Sequence, residues 1–179
     1  ATQPMTLADI EFDGKPRKVL MQAPKNGFFY VLDRATGELL AADKIATANW
    51  ASHVDLKTGR PVETGLADYE KEPRIVFPSA AGAHNWQSQA WHPGTKLMYV
   101  PIMEAGWSHL NSSTIATWFV SGTGKTSEEL RAGQDDLPAS FYGFLVAWDP
   151  AQRARSWHVP LGPGIWNGGV VLGYDPDPT

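Results

Sequence analysis

Residues 23–37 read Ala-Pro-Lys-Asn-Gly-Phe-Phe-Tyr-Val-Leu-Asp-Arg-Ala-Thr-Gly, which joins a lone cation, a turn, a strand and a second turn. Asn26-Gly27 is a turn signal, because Gly tolerates positive φ and Asn tolerates it better than most residues. Phe28 to Leu32 is a continuous aromatic and β-branched run of strand length. Both of its alternating faces are apolar, so the spacing predicts a strand covered on both sides. Asp33-Arg34-Ala35-Thr36-Gly37 has the chemistry of a tight turn, a carboxylate to cap backbone N–H groups and a Gly where the chain reverses. Glu38 to Ala42 is then the return strand of a hairpin.

Working outward, Asp9-Ile10-Glu11-Phe12-Asp13-Gly14 alternates as a half-exposed strand closed by a turn, and Lys18 to Gln22 is a second strand. The turn chemistry recurs in Val54-Asp55-Leu56-Lys57-Thr58-Gly59, within residues 49–62, which reads as an inserted hairpin. A looser copy is Leu145-Val146-Ala147-Trp148-Asp149-Pro150 with Trp157 beyond it, where Gln152-Arg153 replaces Thr-Gly. Asp55 follows Asp33 too closely for successive propeller blades of roughly 40 to 50 residues, whereas Asp149 leaves room for more than one blade between. Arg74 to Phe77 and Leu97 to Met103 are further strands, the latter preceded by the turn His92-Pro93-Gly94-Thr95. Residues 104–140 are polar and weakly periodic, and are expected to form a long surface excursion with one short helix at Ser127 to Ala132.

Composition narrows the function classes. At 179 residues with 42% hydrophobic residues, the chain can bury a real core. A net charge of −4 leaves no basic field for a phosphate backbone, so no nucleic-acid partner is expected. No stretch approaches the ~20 apolar residues of a membrane span. The absence of Cys excludes disulfides, thiolate zinc sites and a Cys-x-x-Cys-His haem attachment on this stretch. Eight Trp, seventeen Gly and fourteen Pro disfavour long helices and suit short strands joined by turns, so the fold class is all-β. The opening Ala1-Thr2-Gln3-Pro4 lacks an initiator Met and the chain stops at Asp177-Pro178-Thr179 directly after a motif, so a fragment of a longer protein is expected.

The recurring turn carries a resemblance. Ala-x-Asp-x-x-Thr-Gly-x-x-x-Trp is the docking motif of quinoprotein propellers; Ala147, Asp149 and Trp157 fit its ends, while Asp33, Thr36 and Gly37 fit its middle, with Ala41 where Trp is usual. In addition, Ala23-Pro24-Lys25-Asn26-Gly27, Gly82-Ala83-His84-Asn85-Trp86 and Trp166-Asn167-Gly168-Gly169 follow one another as in pyrroloquinoline quinone (PQQ)-dependent alcohol dehydrogenases. The chain resembles that family, and its quinohaemoprotein branch most, from about Ala1 to Val170. The resemblance implies a partial β-propeller occupying residues 1–179, eight-bladed in the full-length family, and a periplasmic oxidoreductase.

It also implies roles for particular residues. In the family a Lys or Arg at the place of Lys25 reaches the ortho-quinone oxygens of PQQ, whereas read alone Lys25 is a solvated surface charge beside a turn. A compact ammonium suits oxygen charge that develops as the quinone is reduced. Asn85 and Trp86 are placed at the cofactor by the family, an amide donor and a flat indole; read alone they are a turn cap and a core residue. Trp166, Asn167 and Gly168 are further cofactor-contact candidates, although Gly168-Gly169 serves any tight bend equally. His84 invites a metal reading, but His53, His92, His109 and His158 show no ligand spacing, so a hydrogen-bonded loop His is expected. Gly122-Thr123-Gly124-Lys125-Thr126 lacks the first Gly of a phosphate loop, since Phe119 stands there, and Asp135-Asp136 reads as a solvated pair rather than a Ca²⁺ site.

The family mechanism has Ca²⁺ polarising the quinone, an Asp removing the hydroxyl proton, and a hydride passing from an alcohol to PQQ. The base lies upstream of the position of Ala1, as do the other Ca²⁺ ligands and an adjacent Cys pair, so this chain has no catalytic or metal residue of its own and is expected to be inactive alone. Haem c belongs to the full-length protein only, and an electron acceptor such as a cytochrome c is implied. The rival reading is a non-catalytic propeller scaffold for protein–protein interaction, and a third is a carbohydrate-binding β protein using exposed Trp. A scaffold has no need of a cation and an amide converging on one point.

Overall fold

The structure, a computed structural model, describes residues 3–70, 72–112, 115–117, 137–138 and 142–163. Four antiparallel strands form the first sheet: β1 (Thr6–Phe12), β2 (Lys15–Gln22), β3 (Phe28–Asp33) and β4 (Leu39–Lys44), in that order. The hairpin β5 (Ala51–Asp55) and β6 (Arg60–Glu63) follows as a two-stranded sheet, as its turn chemistry predicts. After β7 (Arg74–Val76) come β8 (Ala90–His92) and β9 (Leu97–Glu104). Strands β10 (Trp107–Ser112) and β11 (Ile115–Thr117) precede β12 (Tyr142–Asp149) and β13 (Ala154–Pro163). β8, β9, β12 and β13 pair in sequence order, so the second four-stranded sheet repeats the meander of the first.

The two meanders share one core. Val19, Met21, Phe29 and Val31 of the first sheet and Met98, Val100, Ile102, Phe144, Val146 and Trp148 of the second belong to a single buried cluster. These are alternate residues of their strands, as a period of two requires when one face meets a neighbouring sheet. The rings of Phe29 and Trp148 lie 5.8 Å apart across the junction. Phe28 and Tyr30, on the other face of β3, pack against Trp50, Ala51 and Val54, so β3 is covered on both faces as the run predicts.

Three turns reuse one device. Asp33 Oδ1 accepts the N–H groups of Ala35 and Thr36, Asp55 Oδ1 that of Lys57, and Asp149 Oδ1 those of Ala151 and Gln152. The fifth residue of each turn is left-handed: Gly37 at φ 79°, Gly59 at 68° and, where the sequence replaces Gly, Arg153 at 58°.

The expected excursion over 104–140 is corrected at its start. Glu104 still belongs to β9, Ala105 is buried, and Trp107–Ser112 pairs antiparallel with Arg74–Val76 and with Ile115–Thr117 in a three-stranded sheet. Weak local periodicity hid this, because the partner strand lies some thirty residues earlier in the chain. The expected helix at Ser127 to Ala132, and the stretches at 122–126 and 135–136, lie outside the described residues.

Candidate cofactor site

Lys25 sits in the connection from β2 to β3, and Asn85 and Trp86 in the connection from β7 to β8. The two connections are stitched together. Ala83 N–H donates to Lys25 O at 2.9 Å, and Lys25 Nζ donates to Ala80 O at 3.1 Å. Asn85 Nδ2 donates to Ala81 O at 2.7 Å within the same loop. Gly82 permits this approach: its φ is +89°, and a Cβ there would stand 2.5 Å from Lys25 Cγ and 2.8 Å from Lys25 Cα. The loop is tied in turn to the second sheet, since Met103 N–H donates to Ala83 O and Ser79 N–H to Ala105 O, both at 2.7 Å.

His84 is fully buried between the two connections. Its Nδ1 lies 2.6 Å from Ala23 O and its Nε2 2.9 Å from Gln87 O. Both carbonyl contacts call for an N–H, and a neutral ring supplies only one. Burial nevertheless holds the imidazole below its usual pKa, against the pull of those two carbonyls. It is a hydrogen-bonded loop His, as expected, and it clamps the chain two residues before Lys25. Among the described residues no three His, Asp or Glu side chains gather as a metal site.

The three candidates differ in presentation. The Lys25 side chain is exposed and commits one donor to Ala80 O, so its charge faces outward. Trp86 is 65% exposed, which is not core behaviour for an indole. Asn85 is buried and one of its N–H bonds is spent on the loop. Close by in sequence, Ser79 Oγ and both amide atoms of Gln87 are buried without a partner. An outward ammonium, a flat exposed indole and buried polar atoms lacking partners fit one wall of a site for a planar, polar, anionic quinone. Lys25 and Trp86 would meet the ring, and Asn85 would hold their loop. Trp166, Asn167 and Gly168 lie outside the described residues.

Asn49 and Gly82 carry tasks that reading the sequence misses. Asn49 Oδ1 accepts Phe77 N–H at 2.8 Å and its Nδ2 donates to Ile75 O at 2.9 Å, which fixes the start of the loop. Nothing in the sequence around Asn49 signals it. For Gly82, its place before Ala83-His84-Asn85-Trp86 is the available sign.

Known proteins resemble the chain along most of its length. Residues 1–43 match the family described as PQQ, glucose/ethanol/alcohol dehydrogenase, β-propeller domain. The quinohemoprotein alcohol dehydrogenase ADH IIB of Pseudomonas putida is 49% identical over 172 residues, 96% of this chain and 24% of its own length. A 1-butanol dehydrogenase (cytochrome c) of Thauera butanivorans is 35% identical over 96% of this chain and 25% of its own. The crystal structure of the quinohemoprotein alcohol dehydrogenase from Comamonas testosteroni superposes with a TM-score of 0.76 at 38% identity, covering 94% of this chain and 26% of that one. The chain thus spans about a quarter of the length of these relatives. These likenesses identify it as a partial β-propeller of the PQQ-dependent alcohol dehydrogenase kind.

Proposed function

We propose that the protein containing this chain is a periplasmic alcohol dehydrogenase that uses PQQ and Ca²⁺, and that the chain supplies the wall of the quinone site bearing Lys25, Asn85 and Trp86. The observation that carries this reading is the outward Lys25 ammonium, held by Ala80 O in the loop that exposes Trp86. When bound, PQQ supplies the hydride acceptor for the alcohol carbon, with Ca²⁺ as Lewis acid held by residues outside this chain. Lys25 sets a positive charge against oxygen that becomes negative in the reaction, and its tie to the loop limits the reorganisation needed. Trp86 covers the ring face and excludes water there. His84 ties the loop to Ala23, and Asn85 braces the loop internally at Ala81 O, which together hold Lys25 in place. The substrate is an alcohol and the electron acceptor a protein such as a cytochrome c.

The test uses the full-length protein, reconstituted with PQQ and Ca²⁺ and assayed for alcohol-dependent dye reduction. PQQ-dependent turnover is expected, together with quenching of Trp fluorescence that weakens in Trp86→Ala. A folded protein that neither binds PQQ nor reduces dye would make it the scaffold instead.

A further inference from the structure

Asn26, the neighbour of Lys25 in the β2–β3 connection, is half-buried and engaged from several directions. Its Oδ1 accepts the Phe28 N–H at 3.2 Å, and its Nδ2 donates to the Tyr30 hydroxyl at 2.7 Å. Its backbone carbonyl accepts the Trp50 Nε1–H at 3.0 Å, across 24 residues of chain. One residue further on, Gly27 O accepts the N–H groups of Ile45 and Ala46 at 3.0 and 3.3 Å. The groups that hold Asn26 are themselves fixed by packing. The Phe28 ring lies 6.4 Å from that of Tyr30 and meets that of Trp50 edge-on at 5.9 Å, and all three belong to one cluster with Ala51 and Val54.

Lys25 needs such support. Its exposed side chain is a flexible four-carbon stem held at its tip by the bond to Ala80 O, so the direction of the ammonium depends on where the backbone of the turn is fixed. The loop at 80–83 holds Lys25 on one side, through Ala83 N–H, and the aromatic cluster holds the next residue on the other. We propose that Tyr30 and Trp50 are positioning residues of the quinone site: through Asn26 they brace the turn that carries Lys25, so that its ammonium is aimed before the quinone oxygens become negative. This deepens the reading of Lys25 given above and rests on it. The chemistry of the brace suits that task. Burial raises the Tyr30 phenol above its ordinary value, outweighing the Asn26 hydrogen bond, so Tyr30, Asn26 and Trp50 are all neutral. They fix the turn without placing beside the ammonium a negative charge that would offset it.

The test uses the full-length protein reconstituted with PQQ and Ca²⁺, with kcat and KM for ethanol measured per PQQ-loaded molecule. Tyr30→Phe removes only the hydroxyl that meets Asn26, and Trp50→Phe keeps a ring in the cluster while removing the N–H. Each is made alone and in a Lys25→Ala background, and either variant that folds carries the test. In the parent background kcat is expected to fall ~tenfold, the effect of a slightly misplaced charge, with KM for ethanol unchanged because Lys25 acts on oxygen charge that develops in the reaction. In the Lys25→Ala background neither substitution should lower kcat further, since the brace has nothing left to aim. A merely structural role would lower kcat by the same factor in both backgrounds. That result, or a parental kcat in a folded Tyr30→Phe or Trp50→Phe while Lys25→Ala is impaired, would overturn the brace alone. An unimpaired Lys25→Ala would instead defeat the quinone-site reading of Lys25, and the brace with it.

Discussion

Lys25 shows how little a residue's type says about its task until its neighbours are known. An exposed Lys contributes almost nothing to stability through one hydrogen bond to a carbonyl. Opposite a developing oxyanion the same charge is worth ~3 kcal/mol in activation, about a hundredfold in rate. Lys25→Ala in the full-length protein should therefore lower turnover about that much and leave the melting temperature nearly unchanged. Measuring both on one preparation decides it, and a large fall in melting temperature with turnover per folded molecule intact would reverse the assignment. Gly82 should behave in the opposite way. Its φ of +89° and the 2.5–2.8 Å approach to Lys25 leave no room for a methyl group. Gly82→Ala is expected to destabilise the fold by about 2–3 kcal/mol and to displace Lys25 as well, read by denaturant titration and PQQ affinity together.

At the scale of elements, the aspartate turns are units that the sequence repeats and the fold uses at the same place between strands. Asp33 is held below the usual carboxylate range, first by the Ala35 N–H, then by Arg17 at 3.0 Å and the Thr36 N–H. A depressed folded pKa contributes stability that is complete above the unfolded value of ~3.9 and is lost as pH falls through the lower folded value. Asp33→Asn keeps the acceptor for both turn N–H groups and removes the titration. The variant should lose less melting temperature than the parent between about pH 5 and pH 2, and an identical acid profile would contradict hydrogen bonding to the ionised Asp33 as the source of that stability. The third turn solves a different problem. Arg153 adopts φ 58° without being Gly, and its guanidinium makes two 2.9 Å bonds to Asp43 of β4. The side chain that strains the turn thereby links the two sheets, which Gly could not do.

For the whole molecule, the paired meanders bury their shared face and leave others open. Trp157, Val159 and Leu161 alternate on one face of β13 at 41%, 49% and 49% exposure, and Met5 and Leu7 near β1 are exposed at 62% and 59%. Exposed apolar side chains of this kind promote association. The isolated chain is expected to self-associate, and neither to oxidise alcohols nor to bind PQQ tightly, because a ring held from one wall stays half in water, where unit charges ~4 Å apart interact by only ~1 kcal/mol. Submicromolar PQQ binding or Ca²⁺-dependent dye reduction by the isolated chain would show that account to be wrong. The sequence by itself determined the four strands read between Asp9 and Ala42, though not their exact ends, and the three aspartate turns, because alternation and turn chemistry are local and act through neighbours in the chain. Its resemblance to a family also put forward Lys25 and Asn85-Trp86 as candidates for one site. Only the tertiary structure decided that Trp107–Ser112 is sheet, that Gly82 must lack a side chain, and that Trp50 holds the Asn26 carbonyl. Each of those depends on a residue distant in sequence, whose approach no local pattern records.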